Sequence, residues 1–212
     1  MYKKIKIVIY NKLVVHLLSF WTFLKWQVYK KKHSTIKIVL GAGPTKYPGW
    51  FSTNIYSVDV TNEKNFEKYF SYARIDKVLA EHVLEHLTEL QIRLMIENLL
   101  KYSNDTLTVR IAVPDGFHAD PEYIETVKPG GSGYGSDDHK HLFNYQSLSK
   151  IFSSYGFTYD LIEYWDEQRQ FHQNYKNDDN GFVSRNFRRD DRNSDGIPHY
   201  TSLIIDFISK KK

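Results

Sequence analysis

Residues able to do chemistry collect in three places. His82-Val83-Leu84-Glu85-His86 has the His-x-x-Glu-His spacing in which two histidines bind zinc and the glutamate serves as base. That arrangement needs the middle of a helix, whereas a strand-like run, Ile75–Ala80, leads straight into this one. Asp137-Asp138-His139-Lys140-His141, with Asp115 and His118 upstream, offers carboxylates and imidazoles that could hold a divalent ion or simply cap and brace a loop. His139 and His141 share a side if the segment is extended. The third place is Gly41-Ala42-Gly43, which cuts off the apolar run Ile36-Lys37-Ile38-Val39-Leu40. Glycine permits backbone turns and close approaches that a β-carbon blocks. A strand ending in such a turn is where α/β proteins hold nucleotide-like ligands, and it is also an ordinary tight turn. No third glycine stands at dinucleotide spacing and no Gly-Lys-Ser/Thr follows, so dinucleotide and triphosphate readings lose ground.

Elements must position these groups. Trp50–Ile55 reads as a second strand, Ser57–Val60 as a short extended piece and Glu63–Tyr72 as a helix. Ile75–Ala80 is a strand ending at Glu81-His82, and Thr88–Tyr102 is an amphipathic helix. Asn104 and Asp105 turn the chain into the strand Leu107–Val113, closed by Pro114-Asp115-Gly116. Gly130–His141 is too glycine-rich for regular structure, and a long loop inside a domain is usually functional or disordered. A helix over Gln146–Tyr155 stops at Gly156, and strands Thr158–Trp165 and Tyr200–Ile208 flank a charged excursion, residues 166–198. Alternating strands and helices imply an α/β fold built on a parallel sheet.

The 212 residues suffice for one sizeable domain, and 41% hydrophobic with 16% aromatic residues excludes disorder. There is no cysteine, which rules out disulfides and thiolate zinc sites and makes a reducing cytoplasm the default location. Net charge is +4, but residues 1–32 carry eight lysines and no acid, so the rest stands at −4 and is not a nucleic-acid binder by charge. Within that basic hydrophobic segment, Leu13–Val28 is too short and too charged to span a bilayer, and no small-residue cleavage site follows it. Trp21, Phe23, Leu24 and Trp26 among lysines suit a helix in a membrane interface, giving peripheral contact; a leading helix packed on the domain is the equal alternative.

Taken in order, the glycine-turn strand, the acidic strand end, the helix, the strand ending in Val-Pro-Asp, the glycine loop and the Gly-Phe strand resemble class I S-adenosylmethionine-dependent methyltransferases. Ala80–Leu87 and Arg110–His118 look like a bacterial branch of predicted methyltransferases, and the likeness extends through Gly130–His141, Glu163–Glu167 and Arg192–Thr201. That branch is often met near genes for surface-polysaccharide assembly. The resemblance covers roughly residues 35–208. It implies a methyltransferase domain over residues 33–212 with a Rossmann-like three-layer architecture and a seven-stranded, mostly parallel sheet. It implies S-adenosylmethionine as cofactor, with Leu40, Gly41, Ala42 and Gly43 lining its amino-acid tail and ribose. Relatives grip the ribose hydroxyls with an acid at the second strand end; here that position is Asn54, whose amide accepts through only one oxygen. Asp59 stands where the family places an acid at the adenine edge, with turn or helix capping an equal alternative. Glu81 and His82 end the strand where relatives close over the cofactor.

The resemblance implies transfer of an activated methyl group, for which a hydroxyl acceptor, a sugar or glycan intermediate or another small molecule, needs a general base. His139, His141, Asp138, Asp115 and His118 are the candidates, and no residue is assigned to a metal. Trp165, Phe171 and His172 flank an acceptor pocket or serve the core. Two rival readings stand beside this one. One is a domain that binds cofactor or glycan without catalysis, for which Asn54 is the best argument. The other is a zinc peptidase through His82, Glu85 and His86, which leaves Gly41–Gly43 unexplained.

Overall fold

The computed structural model describes residues 2–176 and 178–210, with side chains from Val14 onward; Lys3, Lys4, Lys6 and Lys12 lie outside the described side chains. Seven strands form one sheet in the order β2-β1-β3-β4-β7-β5-β6. The strands are β1 (Lys37–Leu40), β2 (Phe51–Ser52), β3 (Ile75–Glu81), β4 (Ser103–Pro114), β5 (Thr158–Trp165), β6 (Phe171–Gln173) and β7 (Ser202–Lys210). Strands β1 to β4 pair in parallel, whereas β7 runs antiparallel to both β4 and β5, and β6 antiparallel to β5. The sheet is therefore evenly mixed, three parallel and three antiparallel pairings, where the sequence suggested a mostly parallel one. β7 enters between its neighbours after a long excursion, so no crossover helix is needed to set its direction.

Alternation along the strands gives the two faces different covers. Ile38, Val78, Ile111 and Ile205 point to the helical side, where they meet α2 (Glu63–Phe70), α3 (Glu89–Tyr102) and α5 (Tyr145–Ser153). Phe152 of α5 stacks on Phe207 of β7 at 3.9 Å between centroids. Val39, Leu79, Ala112 and Ile204 point the other way, against Val183 and Trp50. The third layer is thus the irregular excursion after β5 rather than a set of helices. Gly181 permits its close approach: at φ +115 it lies on Leu79 and Trp50, with only 3.2 to 3.3 Å left for a β-carbon. Arg110, buried on this face, pairs with both oxygens of Asp206 at 2.6 and 2.7 Å and reaches Asp178 and the Gly181 carbonyl at 2.9 and 2.8 Å. A buried pair adds little net stability but fixes where the excursion sits.

Several boundaries differ from the sequence reading. β2 has two residues, and Ser57–Val60 is largely turn. Asn104 and Asp105 make no turn; they belong to β4, which leaves α3 directly through a register shift opposite Ile75–Lys77. A short helix, α4 (Pro121–Val127), precedes the glycine loop.

The N-terminal helix α1 (Tyr2–Lys32) gives something to each of its two readings. Trp26 is fully buried against Phe51 and Phe70 at 5.0 and 5.2 Å, and the Tyr29 hydroxyl lies 3.0 Å from both the Lys37 and Gly49 carbonyls, which share its one proton, so this end docks on the domain. Leu17, Phe20, Trp21 and Leu24 remain exposed on its other face. Among the described residues no helix is long and apolar enough to cross a membrane.

Candidate active site: two cavities joined at His82

The apolar run of β1 ends because Gly41 turns left-handed, at φ +59, and Gly43 follows at φ +54. Gly41 also has to be bare: a β-carbon there would meet Val83 Cγ2 at 2.6 Å. The turn is held from β2. Ala42 N donates to the Thr53 carbonyl at 2.9 Å, and Gly43 N donates to Asn54 Oδ1 at 2.8 Å. Asn54 Nδ2 meanwhile donates to the Tyr56 hydroxyl at 3.2 Å and approaches the Gly43 carbonyl at 3.4 Å. A carboxylate could not donate, which accounts physically for the amide at this strand end. Asn54 is therefore a brace for the turn, not a free grip on ribose. Above the turn lies a cleft of about 400 Å3, walled by Leu40, Gly43, Tyr47, Glu81, His82 and Arg185. The Glu81 carboxylate accepts from Ser184 N at 3.0 Å and Arg185 N at 2.8 Å, so it pins the excursion over this cleft. Asp59 is not there. Its carboxylate closes a local turn by accepting from Thr61 N and Oγ1 at 2.9 and 2.8 Å, and it faces a separate surface hollow beside α2.

His82 and Arg185 also wall a second cavity of about 450 Å3, with Glu85, His86, His139 and Tyr134. His82 is one of two non-glycine residues with positive φ among those described, at +53, a conformation that costs of order 1 kcal/mol and marks functional turns. Its Nε2 lies 3.2 Å from Ser202 Oγ and its Nδ1 3.1 Å from Glu85 Oε1. Leu84–His86 is a single 3-10 turn after a strand, not the interior of a helix. His82 is committed to Ser202 and Glu85, so the paired-histidine geometry of the zinc peptidases is absent, and that reading falls. Burial pushes the Glu85 carboxyl up, but His82 and then His86 beside it outweigh burial and hold it below the usual carboxylate range.

The glycine loop delivers one of its two histidines to this cavity. His139 Nδ1 donates to the Val127 carbonyl at 2.7 Å, and its ring stands edge-on to His86 at 4.7 Å. His141 instead stacks on buried Phe143 at 4.9 Å and lines neither cavity. Asp138 lies 3.6 Å from His86 Nδ1 and 2.6 Å from Lys140 Nζ, largely exposed. Asp115 and His118 brace the scaffold. The fully buried Asp115 carboxylate accepts from Phe117 N and Trp165 N at 2.9 and 2.8 Å, and burial pushes it up to about 7. His118 accepts from Asp120 N at 3.1 Å through Nδ1 and donates to the Pro198 carbonyl at 3.2 Å through Nε2. Stacked 3.8 Å from Tyr123, it is pushed down to about 4 by burial. Trp165, Phe171 and His172 lie at the β5–β6 edge, outside both cavities.

Sequence reading gave Glu163 no role beyond its place in a matching block and did not single out Arg185. Glu163, pushed up to about 7 by burial, accepts from Phe187 N at 3.0 Å and from the Tyr175 hydroxyl at 2.5 Å, gripping the excursion as Glu81 does. An acid between Ile162 and Trp165, at the buried end of β5, was the available signal. Arg185 sits in an irregular segment and gave none.

No family model matches the sequence, and no curated protein matches it. In shape the chain is similar to a SAM dependent methyltransferase from Archaeoglobus fulgidus, at 15% identity and a TM-score of 0.46, over 91% of this chain and 94% of that one. It is also similar to the magnesium protoporphyrin IX methyltransferase ChlM from Synechocystis PCC 6803 with bound SAM (10%, TM-score 0.38, 94% and 80% of the two chains). LepI in complex with SAM matches at 10% and a TM-score of 0.40, over 67% of this chain and 36% of that one. None of these supports the narrower likeness to a bacterial branch. At such identities the likeness concerns shape alone, and the chemistry of the site rests on its own residues.

Proposed function

We propose that the protein is an S-adenosylmethionine-dependent methyltransferase acting on an oxygen of a small-molecule or glycan acceptor. The carrying observation is the pair of adjoining cavities: one floored by the glycine turn at the carboxyl end of β1, the other lined with imidazoles, with His82 between them. When bound, the cofactor supplies a methyl group already activated on a sulfonium sulfur. The fit is good at the amino-acid tail, where Gly41, Ala42 and Gly43 wall the cleft with little side-chain bulk and Arg185 lines it as a cation. It is weaker at the ribose, because Asn54 is spent on the turn. Tyr47 and Glu81 line the cleft there, and beside their bonds to Ser184 and Arg185 they keep lone pairs with which to meet the hydroxyls. The excursion walls one side of the cleft with Ser184 and Arg185, and His139, its Nδ1 fixed on Val127, presents Nε2 as the group to hold or take the acceptor's proton.

The commitment of Asn54 favours the second reading, a binding domain without catalysis, and one measurement separates them. S-adenosylhomocysteine is expected to bind calorimetrically and to raise the melting temperature, since a ligand of the folded state must stabilise it. Turnover on a panel of hydroxylated acceptors then distinguishes enzyme from binder. Silence in both calorimetry and melting would sink the enzyme and leave the non-catalytic binding domain, with a glycan as its ligand. In the same proposal, the exposed face of α1 lies on an anionic membrane surface through Phe20 and Trp21. Full-length protein should sediment with anionic vesicles at low salt and be released at high salt. Salt-independent or absent sedimentation rejects that placement.

A further inference from the structure

Methyl transfer leaves one group of the second cavity unused. Glu85 is fully buried; its Oε1 lies 3.1 Å from His82 Nδ1, while its Oε2 has no hydrogen-bond donor among the described residues. Leaving one oxygen of a buried carboxylate without a partner is costly, so Oε2 points to a ligand that supplies positive charge. Donor atoms of Glu85, His86 and His139 lie within 4.8 Å of one another. Ligands around an occupied tetrahedral shell stand about 3.3 Å apart, so the side chains need to close by about 1.5 Å at most, a rotamer adjustment.

The surroundings are those of a ligand set. A carbonyl can only accept, so the 2.7 Å contact with Val127 places the His139 proton on Nδ1 and leaves the Nε2 lone pair free. Metal-ligating histidines fix their tautomer in this way, through a carbonyl or carboxylate on the other nitrogen. Asp138, 3.6 Å from His86 Nδ1, stands in the equivalent place for the second imidazole. The two ligand-bearing segments are also tied together, because Lys140 N donates to the Glu85 carbonyl at 2.6 Å and His141 N at 3.3 Å. We propose that Glu85, His86 and His139 form a site for one divalent first-row transition ion, zinc being the best match to two imidazoles and a carboxylate, with its open position facing the cavity. With the ion bound, His139 Nε2 would be its ligand and no longer a base, and the ion would polarise an acceptor oxygen completing the shell. That extension rests on the methyltransferase reading, whereas the ion site does not.

The test uses the full chain, stripped with chelator and titrated with Zn2+ alone. One equivalent should bind, as read by calorimetry and by metal analysis of gel-filtered protein. His86→Ala and His139→Ala should each weaken binding at least about 100-fold. His141→Ala, one residue beyond Lys140 but outside the cavity, should bind as wild type. Glu85→Gln alters a buried position, so the half-buried histidines carry the test, with circular dichroism of the zinc-free variants checking their fold. No saturable uptake by wild type, or one equivalent retained by both histidine variants, overturns the site. A melting shift with S-adenosylhomocysteine on zinc-free protein reports on the other cleft alone, so failure of one proposal is distinguishable from failure of the other.

Discussion

The two cavities that meet at His82 are of nearly equal size, about 400 and 450 Å3, yet they are built on opposite principles. The cleft over Gly41–Gly43 has a main-chain floor, shaped by two left-handed glycines and braced by Asn54. Its fit depends on sterics and barely on protonation. The cavity behind His82 is made of side chains, a buried carboxylate and imidazoles whose value lies in which atoms carry protons. A site of the first kind fails when something is added, one of the second kind when something is removed.

The largest effect should come from addition. Gly41→Leu places a β-carbon 2.6 Å from Val83 and strains a left-handed residue, so the melting shift with S-adenosylhomocysteine should vanish. Gly43→Ala has open space and bears only the backbone strain of roughly 1–2 kcal/mol, so a weakened shift should survive. An unchanged shift in Gly41→Leu would remove the cofactor from this cleft. Removal comes next: His139→Ala should lower turnover roughly 100-fold with little change in cofactor affinity, and His141→Ala only a few-fold. Equal losses in the two would erase the distinction that the cavity wall draws between them.

A third variant tests what the cavities share. Glu81 holds Ser184 and Arg185, and Arg185 walls both cavities. Glu81→Ala strips these N–H groups of their acceptor, so denaturant unfolding should register about 1–3 kcal/mol and affinity for S-adenosylhomocysteine should drop. Stability lost with affinity intact would confine Glu81 to the scaffold. The smallest effect lies outside both. His118 has a folded-state pKa near 4 against 6.5 for the free side chain. Protons therefore bind the unfolded chain more tightly, and the contribution of His118 is present above pH 6.5 and lost as pH falls toward 4. Asp115 and Glu163, both raised to about 7, act with the opposite sign but equally in wild type and variant. The stability gap between wild type and His118→Phe should narrow between pH 6.5 and pH 4; a constant gap contradicts the assignment.

Which parts were legible follows from the same contrast. The glycine turn, the end of β3 at Glu81 and the helix opened by the Thr88 and Gln91 capping box are written in neighbouring residues, and the sequence shows them. α4 was legible too, through Asp120 as cap and Pro121 at the first position, but seven residues with only Tyr123 and Val127 buried give too weak a period. Asn104 and Asp105 have turn chemistry, yet pairing across a bulge with β3 overrides it. The third layer was not legible at all. Arg110 finds Asp178 and Asp206, and Glu163 finds the Phe187 amide, across dozens of residues with no periodicity to announce them. Asp59 and His141 failed as site residues for a local reason: each had a nearer partner, Thr61 and Phe143.

β7 follows β5 and β6 in the chain but lies between β4 and β5 in the sheet. Its pairing with β4 joins residues as distant as Arg110 and Asp206. Until that ladder closes, β4 and β5 each present an unpaired apolar edge, the kind that recruits strands from other molecules. Closure over such separations is slow, because loop entropy is spent before any contact repays it. Refolding from denaturant should therefore lose yield steeply as protein concentration rises, with a parallel half already coated by helices waiting for its central partner.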